Sequence, residues 1–149
     1  MKKTFQQVWV MSHSELHKMS VLLIQQTDYN ENNSFWGPFE WDTANLVIQP
    51  EELLPLLQEK YGIQLIEPVI IPLKKTYKRE IPDLKTQELF QVVGMILHRQ
   101  DQLISETSRN ETITLKWVPF RDVLDYLHKE YHSIIFFDWY KAIKFGKLP

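Results

Sequence analysis

Apolar and polar positions alternate along the chain in a way that predicts strands mixed with a few helices. Phe5–Met11 (FQQVWVM) reads as a strand with Val8 and Val10 on one face, and Ser20–Gln25 (SVLLIQ) as a second, more fully buried strand. Ser12–Met19 is a polar connection between them, and Thr27–Ser34 is a loop by composition. Phe35–Trp41 (FWGPFEW) is aromatic around a Gly-Pro pair, which predicts irregular backbone or a short strand end. Glu51–Tyr61 reads as a helix with Leu53, Leu54, Leu57 and Tyr61 on one apolar face. Pro50 and the acidic Glu51 and Glu52 suit its first turn, and Gly62 suits its C-terminal cap. Pro55 is awkward there unless the helix begins late.

Ile66–Leu73, interrupted by Pro68 and Pro72, predicts an edge strand. Lys74–Lys85 is a charged excursion. Glu88–Arg99 predicts a long central strand, Gln100–Asn110 a polar connection, and Thr112–Val118 an alternating strand. Pro119–Tyr131 predicts a helix burying Phe120, Val123, Leu124, Leu127 and Tyr131. A last helix over Ser133–Lys144 would be capped by Ser133 and ended by Gly146. The pattern gives an α/β (α+β) helix-sheet-helix sandwich.

Composition narrows the functional classes. With 149 residues and no linker or internal repeat, one domain over 1–149 is the simplest reading. The net charge of −2 supplies no basic excess for a phosphate backbone, so nucleic acid is disfavoured as a partner. The segment after Lys2-Lys3 is not a continuous apolar run, so no signal peptide is read, and no apolar stretch is long enough to span a membrane. The absence of cysteine excludes thiolate chemistry and disulfides and fits a cytoplasmic location.

Val21–Gln26, Trp41-Asp42-Thr43-Ala44, Gln58–Ile63 and Glu111 with Trp117-Val118-Pro119, in that order, together resemble the Nudix hydrolase superfamily, in particular its isopentenyl diphosphate isomerase-like branch. Val21–Gln26 is similar to the strand before that family's substrate loop, and Trp41-Asp42-Thr43-Ala44 to that branch's Trp-Asp-Ile-Ser turn. Gln58–Ile63 is similar to the end of the Nudix helix, and Glu111 with Trp117-Val118-Pro119 to the late Glu, Trp and helix start. The resemblance spans roughly 20–143 and implies a mixed β-sheet between helices.

The Nudix box, G-x5-E-x7-R-E-U-x-E-E-x-G-U, is degenerate here. Anchored on Gly62 and Ile63, its arginine falls on Pro55 and the following glutamate on Leu56. Leu57 keeps the aliphatic position. Glu59 keeps the first of the paired glutamates, and Lys60 replaces the second. In the family, carboxylates on one helix face hold Mg²⁺ or Mn²⁺ against a diphosphate. Such hard ions require several oxygen ligands. Glu59 is the catalytic candidate that remains, and Glu59, Glu88 and Glu111 form a metal set only if the site has been rearranged. Glu106 is a further nearby acid.

The resemblance makes Trp36, Phe39 and Trp41 candidates for a substrate pocket, within an aromatic cluster that also includes Phe35. The alternative is core packing. Arg79, in the basic run with Lys74, Lys75 and Lys78, could approach a phosphate, or simply be solvated. The spacings His13-x3-His17 and His128-x3-His132 admit a metal site, against surface histidines. The aromatic stretch Ile134–Tyr140 fits a homodimer contact or packing on the sheet. The leading expectation is a non-catalytic nucleotide- or diphosphate-ligand-binding or interaction module with no required cofactor. Competing readings are a hydrolase of nucleoside diphosphate derivatives, using Mg²⁺ or Mn²⁺ at a rearranged site, and a structural homo-oligomeric subunit.

Overall fold

A computed structural model describes residues 2–13, 18–28, 33–44, 49–73, 76–105 and 113–144. The strands are β1 Lys2–His13, β2 Met19–Asp28, β3 Asn33–Gly37, β4 Phe39–Asp42, β5 Ile63–Leu65, β6 Val69–Pro72, β7 Tyr77–Ile81, β8 Thr86–Leu97, β9 Leu103–Ser105 and β10 Thr114–Pro119. The helices are α1 Leu53–Tyr61, α2 Phe120–Tyr126 and α3 Glu130–Lys144. The main sheet is mixed and runs β10-β2-β1-β8-β6. β5 and β9 form a separate antiparallel pair.

At the centre β1 and β8 run parallel, from Lys2 opposite Gln87 to Ser12 opposite Leu97. β1 pairs with β2 only from Val10 onward. Ile24 and Gln25 of β2 already pair with β10, so β3, which pairs with the same residues, lies on the β1 side. β3 on β2 and β4 on Phe5–Val8 of β1 therefore fill the wedge where the two strands part. Pro38 separates β3 from β4 and needs no ladder hydrogen bond.

Strand alternation sends successive side chains to opposite layers. Val8, Val10, Leu22, Val93 and Met95 pack beneath Leu53 and Leu57 of α1. Trp9, Met11, Leu23, Phe90 and Val92 pack on the other side, with Val123 of α2 and Phe136 and Trp139 of α3. The predicted helix-sheet-helix order is thus observed. Among the described residues no helix is long and apolar enough to cross a membrane.

Several local expectations change. A 3-10 turn over Pro50–Glu52 precedes α1, so Pro55 sits near the start of the α-helix, where its missing N–H matters least. Phe35–Trp41 belongs to two short strands, and the charged excursion contains β7, paired with Thr86–Phe90 of β8. The polar connection after Arg99 contains β9. The helix predicted to reach Tyr131 ends at Tyr126. Leu127 is extended and bridges to Trp36, and α3 begins at Glu130, without Ser133 as its cap. Gly146 lies outside the described residues.

Gly62 ends α1 in the left-handed region, at φ 67, and its N–H donates to the Gln58 carbonyl. A Cβ is disfavoured there, so Gly62→Ala is expected to cost about 1 kcal/mol in urea denaturation. An unchanged midpoint would show that the cap tolerates a side chain.

Candidate functional site

The candidate residues converge on one end of the sheet, around β4, but they divide between its two faces. Phe39 and Trp41 point to the α1 layer, where Phe39 is fully buried and its ring meets Tyr61 edge-on at 4.8 Å between centroids. Trp41 is partly exposed beside Tyr61, and the Lys60 ammonium lies 5.8 Å from its ring centroid. Glu59 is exposed on the same helix. Lys60 also suits the negative end of the α1 dipole.

Trp36, Arg79 and Glu88 lie on the α2 and α3 side. Trp36 meets Tyr126 edge-on at 6.2 Å. Arg79 and Glu88 are register partners on β7 and β8, with Nη1 to Oε1 at 3.5 Å. The Arg79 guanidinium also lies 4.9 Å from the Tyr131 ring centroid. The sheet therefore separates Glu88 from Glu59. Glu111, Glu106, Lys74 and Lys75 lie outside the described residues. Among the described residues, no group of three or more His, Asp or Glu could hold a metal ion. On α1, a single exposed carboxylate beside an ammonium does not fit a divalent cation, which needs several converging oxygens.

A second polar centre includes His132 but none of the other expected site residues. Glu40 points into the α3 layer, where Gln7 Nε2 donates to its Oε1 at 2.9 Å and the Tyr131 hydroxyl to its Oε2 at 2.8 Å. His132 Nε2 lies 3.3 Å from Oε1, and an ionised carboxylate only accepts, so this nitrogen carries a hydrogen. Gln7 Oε1 accepts from the Trp9 indole at 2.6 Å. From the other layer the Tyr61 hydroxyl donates to the Glu40 backbone carbonyl at 3.3 Å. Glu40 is thus fixed from both sides of the sheet.

These contacts set the protonation behaviour. Burial alone would raise the Glu40 carboxyl. The hydrogen bond and charge of His132, with the hydrogen bonds from Gln7 and Tyr131, outweigh it and hold the group below the usual carboxylate value. Burial raises the Tyr61 hydroxyl to about 12, and burial with the Glu40 charge raises Tyr131 as well.

His132 is fully buried, not a surface histidine. His128 is exposed ahead of α3, so the two do not share a helix face. His13 is exposed at the end of β1, and His17 lies outside the described residues. In the C-terminal aromatic stretch, Phe136 and Trp139 pack on the sheet, while Ile134 and Phe137 are exposed. The warning sign for the buried centre was the Gln6-Gln7 pair inside an apolar strand. Its partner Glu40 was hidden among aromatics.

No protein-family model matches the sequence, and no curated protein matches it. Solved structures do match. The NUDIX domain of Shewanella oneidensis NrtR, in complex with ADP ribose, superposes with a TM-score of 0.69 at 16% identity, over 96% of this chain and 89% of that one. A mutT/nudix family protein from Listeria innocua gives 0.68 at 13% identity, over 97% and 95%. The C-terminal domain of mouse MUTYH, in complex with human PCNA, gives 0.68 at 15% identity, over 97% and 90%. At these identities the likeness establishes architecture, and the chain has the Nudix fold.

Proposed function

We propose that the chain is a Nudix-fold binding module for a nucleotide or similar diphosphate-bearing ligand, without metal-dependent pyrophosphohydrolase activity. The observation that carries this reading is Lys60. Its ammonium stands over Trp41 where the Nudix pattern calls for a metal-binding glutamate. A surface cation can attract a diphosphate directly, and a partly exposed indole can stack on a base, but neither activates water. The ADP ribose complex of the structurally similar NrtR domain supports the ligand class. The net charge of −2 favours a small ligand over nucleic acid, and the lack of cysteine suits the cytoplasm.

The test is a thermal-shift titration with ADP ribose, without metal, alongside product analysis with Mg²⁺ and Mn²⁺. Stabilisation of about 2.7 kcal/mol is expected at a hundredfold excess over Kd, with no turnover. Lys60→Glu should weaken binding roughly tenfold, the loss of about one charge-assisted contact. Turnover abolished by Glu59→Gln would overturn the proposal in favour of a hydrolase. That second reading is disfavoured by the opposed faces of Glu59 and Glu88 and by the Arg79 that neutralises Glu88. The exposed Ile134 and Phe137 keep a homodimeric subunit as a third reading, which a monomeric sedimentation profile would exclude.

A further inference from the structure

Among the described side chains of α3, the exposed ones are Glu130, Ile134, Phe137 and Lys141. They follow one another at steps of four, three and four, which sets them in a single stripe along the helix. The other side of α3 faces the core, where Ile135, Phe136 and Trp139 are each at most 1% exposed. The solvent side of an amphipathic helix is ordinarily polar. Here the middle of the stripe is apolar, with Ile134 54% and Phe137 48% exposed. Its ends carry opposite charges, Glu130 in the first turn and Lys141 toward the C-terminal end. The Lys141 ammonium borders the apolar pair, 5.1 Å from the Phe137 ring centroid, and lies 3.6 Å from Asp138 Oδ1 in the same helix.

We infer that α3 pairs antiparallel with α3 of a second copy of the chain, about a two-fold axis level with Ile135 and Phe136. Ile134 then meets the partner's Phe137, and Glu130 meets the partner's Lys141, each contact occurring twice by symmetry. The charges select the orientation, because a parallel pair would set like charge against like at both ends. From Glu130 to Lys141 the stripe is about 17 Å long. Four residues a side fall short of the roughly 800 Å² per partner of a standard complex, so the dimer is a weak one. The stripe lies on the opposite side of the sheet from Trp41 and Lys60, so pairing leaves the α1 face open on both copies. The inference is therefore independent of the ligand-binding reading, and dimerisation and binding can fail separately.

The experiment is sedimentation equilibrium on the full chain, from about 10 µM to about 1 mM, where a monomer–dimer equilibrium is expected. Phe137→Ser is expected to weaken association roughly tenfold or more, by removing the central apolar contact. Glu130→Lys and Lys141→Glu, each alone, make both charge contacts of the dimer repulsive and are expected to weaken it roughly tenfold. Mixed in equal amounts, these two variants carry complementary stripes and should form a heterodimer about as readily as the parent dimerises. A parent that stays monomeric throughout would overturn the inference. So would a dimer unmoved by Phe137→Ser, which would lie on another face. Charge variants that mixing does not rescue would overturn the antiparallel register. Should a charge variant fold poorly by its Tm, the parent and Phe137→Ser measurements decide the matter by themselves, since Phe137 is on the surface.

Discussion

Trp139→Ala is expected to lower stability by about 3–5 kcal/mol, the usual cost of emptying a fully buried indole site, and Tm by roughly 10 °C. The indole lies in the core between α3 and the sheet, directly against Gly94 in the middle of β8. A Cβ built on Gly94 would meet Trp139 Cη2 at 2.6 Å and Cζ2 at 2.9 Å, and Met11 Cε at 3.0 Å. Gly94 is paired on both edges, with Trp9 and Ile71, so its backbone cannot retreat. Gly94→Ala should therefore cost about 1–3 kcal/mol through overpacking. Trp139→Phe removes the two crowding ring atoms and an indole N–H that has no partner among the described residues. The double variant Gly94→Ala with Trp139→Phe should be more stable in urea than the sum of its single effects. Strict additivity would mean that the contact is not what excludes a side chain at position 94.

Glu40→Leu should destabilise by about 3 kcal/mol or more, since it strands the Gln7 amide, the Tyr131 hydroxyl and His132 Nε2 in a buried site. The same centre makes acid stability depend on Glu40. Its carboxyl is lowered in the folded chain from an ordinary value of 4.5. The stabilisation is therefore complete above that value and is lost as pH falls through the lower folded one. Melting temperatures followed from about pH 7 to pH 2 should show a steeper acid decline for the parent than for Glu40→Gln. Parallel declines would assign the acid sensitivity to other carboxylates.

The chain declares its layers more clearly than its site. β1, β2, β8 and β10 carry continuous or alternating apolar positions, so their existence and facing were legible. β7 was not, because Lys78, Arg79 and Glu80 give an edge strand the composition of a loop. The break between α2 and α3 was masked for a different reason. Both helices pack on the same face, so the apolar period continues from Val123 through Leu127 to Tyr131 although the backbone does not. The resemblance grouped Trp36, Trp41 and Glu59 as site candidates, but spacing does not report which side of a sheet a residue faces once strands diverge. The Glu40 centre joins residues as far as 92 positions apart, and local pattern carries no trace of such a pairing.

The parallel union of β1 and β8 also constrains the order of assembly. The first strand of the chain meets a partner roughly 85 positions later, with eleven register pairs along its length. On a ribosome, β1 can close early onto β2 and β4, but its other edge stays open until β8 has emerged. The rate-limiting step should be this long-range closure, which places refolding among slower, high-contact-order domains. During that interval the apolar edge of β1 is the segment of the nascent chain most in need of a chaperone.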